Sequence, residues 1–216
     1  MSYPLIKPFK FLHKQQIEDK AVDILAQMDK TSKYGVKWPL DASRVAEFLG
    51  LDVVWDNIPD DEEGKIAARI LPVEKLIEIN DSITELRGGF AESTIAHEIG
   101  HWVLHIDPIA VTKYLQLSHK GLVIKVEPLL CRNDLILQGI EWQAQYFASC
   151  LLMPGFKLEQ SCRGKELSQW RHLYAIADEL GVTISNLIHR LKDTGWIYNV
   201  TSDKRIELIS EANLYG

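Results

Sequence analysis

Apolar residues recur at helical spacing from early in the chain. Ile17, Ala21, Ile24, Leu25 and Met28 share one face and predict a helix over about residues 15–28. Asp41 is a good N-cap for a second helix, and Gly50 is a natural residue to follow its end. LDVVW then reads as a short strand. KIAARIL and KLIEIN, on either side of Pro72, read as a β-hairpin. STIAHEIGHWVL predicts an apolar-rich helix from Glu92 to Leu104. Residues 106–136 read as a long mixed connection, with LVIKVE a candidate strand. A loop of that length in a compact domain usually carries function. A further helix runs from Glu141 to Met153, stopped by Pro154 and Gly155. Leu167–Leu180 is the next, with Gly181 after its end, and Thr183 caps a last one reaching about Lys192. Trp196–Val200 and Arg205–Ile209 pair as a closing ribbon. Helices interleaved with a small sheet make an α+β fold.

Composition narrows the picture. A chain of 216 residues, 46% hydrophobic and 25% charged, builds one ordinary globular domain, or one domain with a small appendage. Lys plus Arg is 24 and Asp plus Glu is 30, a formal charge of −6. That balance argues against direct nucleic-acid binding as the main task, since such domains are usually basic. Cys131, Cys150 and Cys162 form no CxxC pair, which excludes a disulfide scaffold and fits a reducing, cytoplasmic setting. Pro4 and Pro8 break the N-terminal stretch, which has no apolar core of a signal peptide. No run approaches the ~20 apolar residues of a membrane span, so no membrane partner is expected.

The strongest chemical signal is His97-Glu98-Ile99-Gly100-His101. Histidines at i and i+4 share a helix face, so both rings can reach one metal ion. Zinc suits them, because it accepts imidazole nitrogen and carboxylate oxygen. Glu98 lies beside that face as a candidate base. Random placement of 7 His and 16 Glu in this chain would give roughly 0.02 such matches. Without a metal, two His and a Glu in so apolar a helix cost several kcal/mol. A catalytic zinc needs a third protein ligand. Glu141, 40 residues beyond His101, is the candidate. Its alternative is a carboxylate complementing the dipole at a helix start. Glu141, Ala144, Gln145 and Ala148 fall on one face. Gly100 and the two alanines suit a close approach of the two helices. Gln145 is placed to accept the free N–H of a zinc histidine. His105 and Tyr146 are candidates to steady an oxyanion, or else a helix-end histidine and a core tyrosine. KLIEIN, with Ile77 and Ile79, is a candidate edge strand for an extended substrate, or else an internal strand. Cys131 reads as a small apolar filler, with a fourth zinc ligand as its alternative.

HEIGHWVLH followed by EWQAQYFASCLLMP resembles the ImmA/IrrE family of zinc metallopeptidases. IEDKAVDIL, LDASRVAEFLGLDVVW and KLIEIN extend the likeness, which covers about residues 15–200. The resemblance implies a zincin-like catalytic domain over 1–155 and a C-terminal helical module over 156–216 packed on it. It implies one Zn²⁺ per chain on His97, His101 and Glu141, with Glu98 as general base. The implied partner is a protein substrate, a helix-turn-helix repressor-type regulator of a mobile element or a stress response. One departure is Gln145, where the family usually has Asn. ELSQWRHLYAIADELGVTISNLIHRLKDTGWI resembles a helix-turn-helix with a short wing. Arg190 and Lys192 are its candidate DNA-facing cations, offset by Asp178, Glu179 and Asp193. Packing on the catalytic domain is the favoured role for this module. The rival to an endopeptidase is a zinc-containing regulator that binds a protein partner or DNA without hydrolysis.

Overall fold

The computed structural model describes residues 5–60, 65–81, 89–118 and 135–209. Helix α1 (Lys14–Asp29) buries Ile17, Ala21, Ile24, Leu25 and Met28, the stripe its periodicity predicts. Asp41 caps α2 (Ala42–Phe48) by accepting from the Arg44 amide at 3.2 Å. Three strands follow: β1 (Asp52–Asp56), β2 (Ala68–Leu71) and β3 (Leu76–Asn80). The metal-motif helix α3 is Phe90–Leu104, and α4 (Pro108–Ser118) comes directly after it. Then come α5 (Leu135–Leu152), α6 (Gly155–Cys162), α7 (Trp170–Leu180) and α8 (Ile184–Asp193). A ribbon of β4 (Ile197–Val200) and β5 (Ile206–Leu208) ends the described chain. The fold is α+β, as expected.

Strand order is β1-β3-β2, with β1 parallel and β2 antiparallel to β3. The hairpin is as predicted, with Arg69 and Glu78 paired across it. The expectation of an edge strand at KLIEIN is corrected. Strand β3 is central, both its edges are taken, and Ile77 and Ile79 are fully buried. Among the described residues the edges are β1 and β2, and β1 leaves Val54 and Trp55 38% and 42% exposed.

Three helical boundaries also differ from expectation. Part of the supposed 106–136 connection is α4, while LVIKVE and Cys131 lie outside the described residues. Helix α5 begins at Leu135, so Glu141 sits well inside it rather than at its start. The helix-dipole account of Glu141 therefore falls. Pro154 does end α5, but it also N-caps α6 with φ −62° and ψ 148°. Proline is well suited to such a start, where the missing N–H is no loss.

One hydrophobic cluster runs from Ile17 through Ile99 and Phe147 to Leu187 and Ile197. It therefore joins the sheet, the metal-motif helix and the C-terminal helices. Arg190 of α8 crosses this packing with 0% exposure. It donates to the Glu18 carboxylate at 2.6 Å, the Met153 carbonyl at 3.1 Å and the Tyr146 hydroxyl at 3.3 Å. Arg190 is thus a structural clamp turned away from solvent. No helix among the described residues is long and apolar enough to cross a membrane.

Candidate metal centre

Helices α3 and α5 pack against each other along Gly100. A Cβ at Gly100 would lie 2.9 Å from the Ala144 carbonyl oxygen and 3.0 Å from its Cα. Only glycine allows so close an approach to backbone. The contact brings Glu141, one turn before Ala144, over His97, one turn before Gly100, and His101, directly after it.

There three side chains converge. Nε2 of His97 and Nε2 of His101 are 3.0 Å apart. The Glu141 carboxylate spans them, with Oε2 3.0 Å from His97 and Oε1 3.1 Å from His101. Zinc–ligand bonds of 2.0–2.1 Å in a tetrahedron place ligand atoms about 3.3 Å apart. The separations are of that size. Two imidazole nitrogens facing each other across a carboxylate also need a cation or shared protons between them. Two nitrogens and a carboxylate are a zinc donor set, and three protein ligands leave a position open. The His101 side chain is 3% exposed and that of Glu141 36%, so the group is closed below and open on the Glu141 side. It is the one such group of His, Cys, Asp and Glu among the described residues.

Glu98 is buried beside this group. Burial pushes its carboxyl above the ordinary range, the His101 and His97 rings pull it back, and Glu141 adds to the rise. For His97, burial works against the charged ring, but the Glu141 contact and the Glu98 charge outweigh it and the net shift is upward. The two carboxylates thus favour positive charge on His97.

Gln145 leans on His97 and also favours its charged form. No hydrogen bond closes, however: Nδ1 of His97 is buried without a partner. Gln145 lies beside His97 without the hydrogen bond expected of it. Tyr146 goes elsewhere. Its hydroxyl meets Arg190, its ring stacks on Trp142 at 5.6 Å, and burial pushes its pKa up to about 12. Its 7% exposure and these contacts fit the alternative of a packed core tyrosine, and it also lines the cleft beside the site. His105 ends α3 and is 6% exposed. Its Nδ1 is 3.2 Å from Nδ1 of His101, and its Nε2 is 3.2 Å from Oε1 of Gln143. Burial, with the His101 ring beside it, holds His105 down at about 4. It therefore stands behind His101, at the ring nitrogen turned away from Glu141, which does not fit the oxyanion expectation.

Sequence reasoning missed Gln143. The helical face chosen for α5 held Glu141, Ala144 and Gln145, and Gln143 points to the other side. Its partner His105 is 38 residues away, so no local signal links them.

A cleft of about 490 Å³ adjoins the site. It is lined by Ser93 of α3, by Trp142, Gln145 and Ser149 of α5, and by Asn186 and His189 of α8. Helix α8 thus supplies one wall of this cleft.

No family model matches the chain, and no curated protein does. Among solved structures it is similar in fold to a Mycobacterium tuberculosis transcriptional regulator, with a TM-score of 0.52 and 14% identity. The match covers 84% of this chain and 56% of that one. The chain therefore spans little more than half the length of that protein.

Proposed function

We propose that the chain is a zinc-dependent endopeptidase of the ImmA/IrrE type, with one Zn²⁺ on His97, His101 and Glu141. The observation that carries this reading is the meeting of those three side chains from two helices beside a buried glutamate. Bound zinc supplies Lewis acidity, which acidifies water and polarises a peptide carbonyl. Glu98 takes the proton of the attacking water and delivers it to the departing amine nitrogen. Its upward shift moves it toward the range where one group serves as both base and acid.

An extended peptide binds a free sheet edge through main-chain hydrogen bonds. With β3 internal, that role passes to β2, an edge strand among the described residues that packs against α3. The substrate class is a protein, and a helix-turn-helix repressor-type regulator is the specific proposal. The family likeness of HEIGHWVLH and EWQAQYFASCLLMP supports it. The fold likeness to a transcriptional regulator is compatible with a regulatory setting. Burial of Arg190 removes one of the two cations of α8 from any DNA-facing surface, which favours the packing role of that module.

Elemental analysis tests the metal: about one zinc per chain, lost in His97→Ala and Glu141→Ala. Glu98→Gln should keep the zinc and lose about 10²–10⁴-fold in cleavage of a mixed peptide library read by mass spectrometry. Wild-type protein that takes up no zinc would sink the proposal. A Glu98→Gln protein that still acts on its regulator would leave partner binding, not proteolysis, as the mechanism.

A further inference from the structure

We infer that His105 and Gln143 are positioning residues that hold His101 in the tautomer a metal requires, and that the N-terminal segment completes their arrangement. This rests on the reading of His101 as a zinc ligand.

The argument starts at a backbone carbonyl. The side-chain amide of Gln143, a residue 1% exposed, donates its Nε2 to the carbonyl oxygen of Lys10 at 3.0 Å. A carbonyl only accepts, so the NH₂ of Gln143 must face Lys10 and its oxygen must face His105. That oxygen, 3.2 Å from Nε2 of His105, also only accepts. Nε2 of His105 therefore carries the proton. His105 is 6% exposed, and its ring nitrogens meet an amide oxygen and another imidazole rather than a carboxylate, so it is buried as the neutral ring. That ring has one N–H, so its Nδ1 is a bare acceptor. It lies 3.2 Å from Nδ1 of His101, which must donate. His101 thus keeps its proton on Nδ1, and its Nε2 lone pair faces His97 and Glu141. Metal-bound histidines usually donate their second N–H to a carboxylate or a carbonyl. Here a second histidine stands in that place and is itself oriented by an amide.

The segment that starts the chain is fastened to both helices. Its Lys7 amide donates to the His105 carbonyl at 2.7 Å, and the Asp107 amide donates to the Leu5 carbonyl at 2.8 Å. The Lys7 ammonium bonds the Val103 carbonyl at 3.2 Å, at the end of α3. Phe9 packs on Gly139 of α5, where an added Cβ would lie 2.9 Å from its ring, and Phe11 stacks on Trp142 at 6.2 Å. These contacts fix the Lys10 carbonyl relative to the metal ligands.

Two readouts on the full chain test this. Long-range ¹H–¹⁵N spectra of metal-free protein at neutral pH report which nitrogen of His101 bears the proton. Competition with a chromophoric chelator gives the zinc Kd. The wild type should show His101 protonated on Nδ1. His105→Phe and Gln143→Met should lose that preference and bind zinc about 10–100-fold more weakly. His105→Asn, whose amide oxygen stands where Nδ1 stood, should restore both readouts to within a few-fold. His101 protonated on Nε2 in the wild type would overturn the inference. So would a folded His105→Phe protein with wild-type zinc affinity. If a variant fails to fold, the wild-type spectrum alone decides. Protein that binds zinc but cleaves nothing refutes the peptidase and leaves this inference standing. Protein that binds no zinc refutes the metal reading, and the spectrum still decides the tautomer.

Discussion

Gly100 shows how one missing side chain sets the spacing of the His97, His101 and Glu141 triad. Ala at this position would gain about 1 kcal/mol of helix propensity. It would also drive a Cβ to 2.9 Å from the Ala144 carbonyl oxygen, which is backbone and cannot turn aside. Overpacking of that kind costs about 1–3 kcal/mol, so the clash outweighs the propensity. We expect Gly100→Ala to melt several degrees lower, at roughly 2–4 °C per kcal/mol, and to bind zinc more weakly. Calorimetry with and without zinc checks both. Legibility at this scale followed sequence distance. His97, Glu98 and His101 lie on one helix, so their spacing alone placed them together. Glu141 was legible through the small residues that follow it. His105, Tyr146 and Arg190 were not, because their partners come from other elements: Gln143 for the first, α8 and α1 for the other two. A lone histidine or arginine in a sequence does not show which way it faces.

Helices and strands were read correctly where their signals are local. The stripe of α1 and the caps Asp41 and Thr183 needed only neighbouring residues. Helix α6 was hidden because a proline read as a stop is also a start. The early start of α5 was hidden by Gly139, whose missing side chain makes room for Phe9, 130 residues earlier. The place of β3 depends on a parallel pairing with β1, which no hairpin signal reveals. Two links between elements yield predictions. Arg190→Ala strips a buried cation from Glu18 and leaves the Met153 carbonyl without this donor. Breaking a buried pair costs about 3–5 kcal/mol, and the 23% exposure of Glu18 sets the expectation at the lower end. Arg190→Met should lose less, because its chain still fills the space; urea midpoints compare the two. On α7, Glu179 accepts from Ser161 and from Lys157 of α6 at 2.7 and 2.9 Å, and these bonds hold its pKa down at about 2. A lowered acid stabilises the fold above its unfolded value near 4.5 and loses that contribution as pH falls toward about 2. Its exposure keeps the effect small. Acid titration of stability should show a step between those values that Glu179→Gln lacks.

Across the whole molecule, the proposed ligand set draws on both α3 and α5, two helices joined through residues 105–134. A metal held by both stabilises the folded chain by about 2.7 kcal/mol at a free concentration 100 times its Kd. Thermal melts should therefore rise with added zinc, fall with chelator, and respond to neither in His97→Ala. The α+β class was legible in the alternation of patterns, whereas the order of strands was not. That order has a colloidal consequence. Among the described residues, strand β1 is an edge whose Val54 and Trp55 are exposed. Exposed apolar edges invite another chain to add a strand. In DVVWD the apolar run is bracketed by Asp52 and Asp56, both exposed carboxylates. Two such edges brought side by side would set like charges against each other at both ends. Replacing both aspartates with Asn should keep the fold and make concentrated solutions scatter light on warming, while the native edge stays clear.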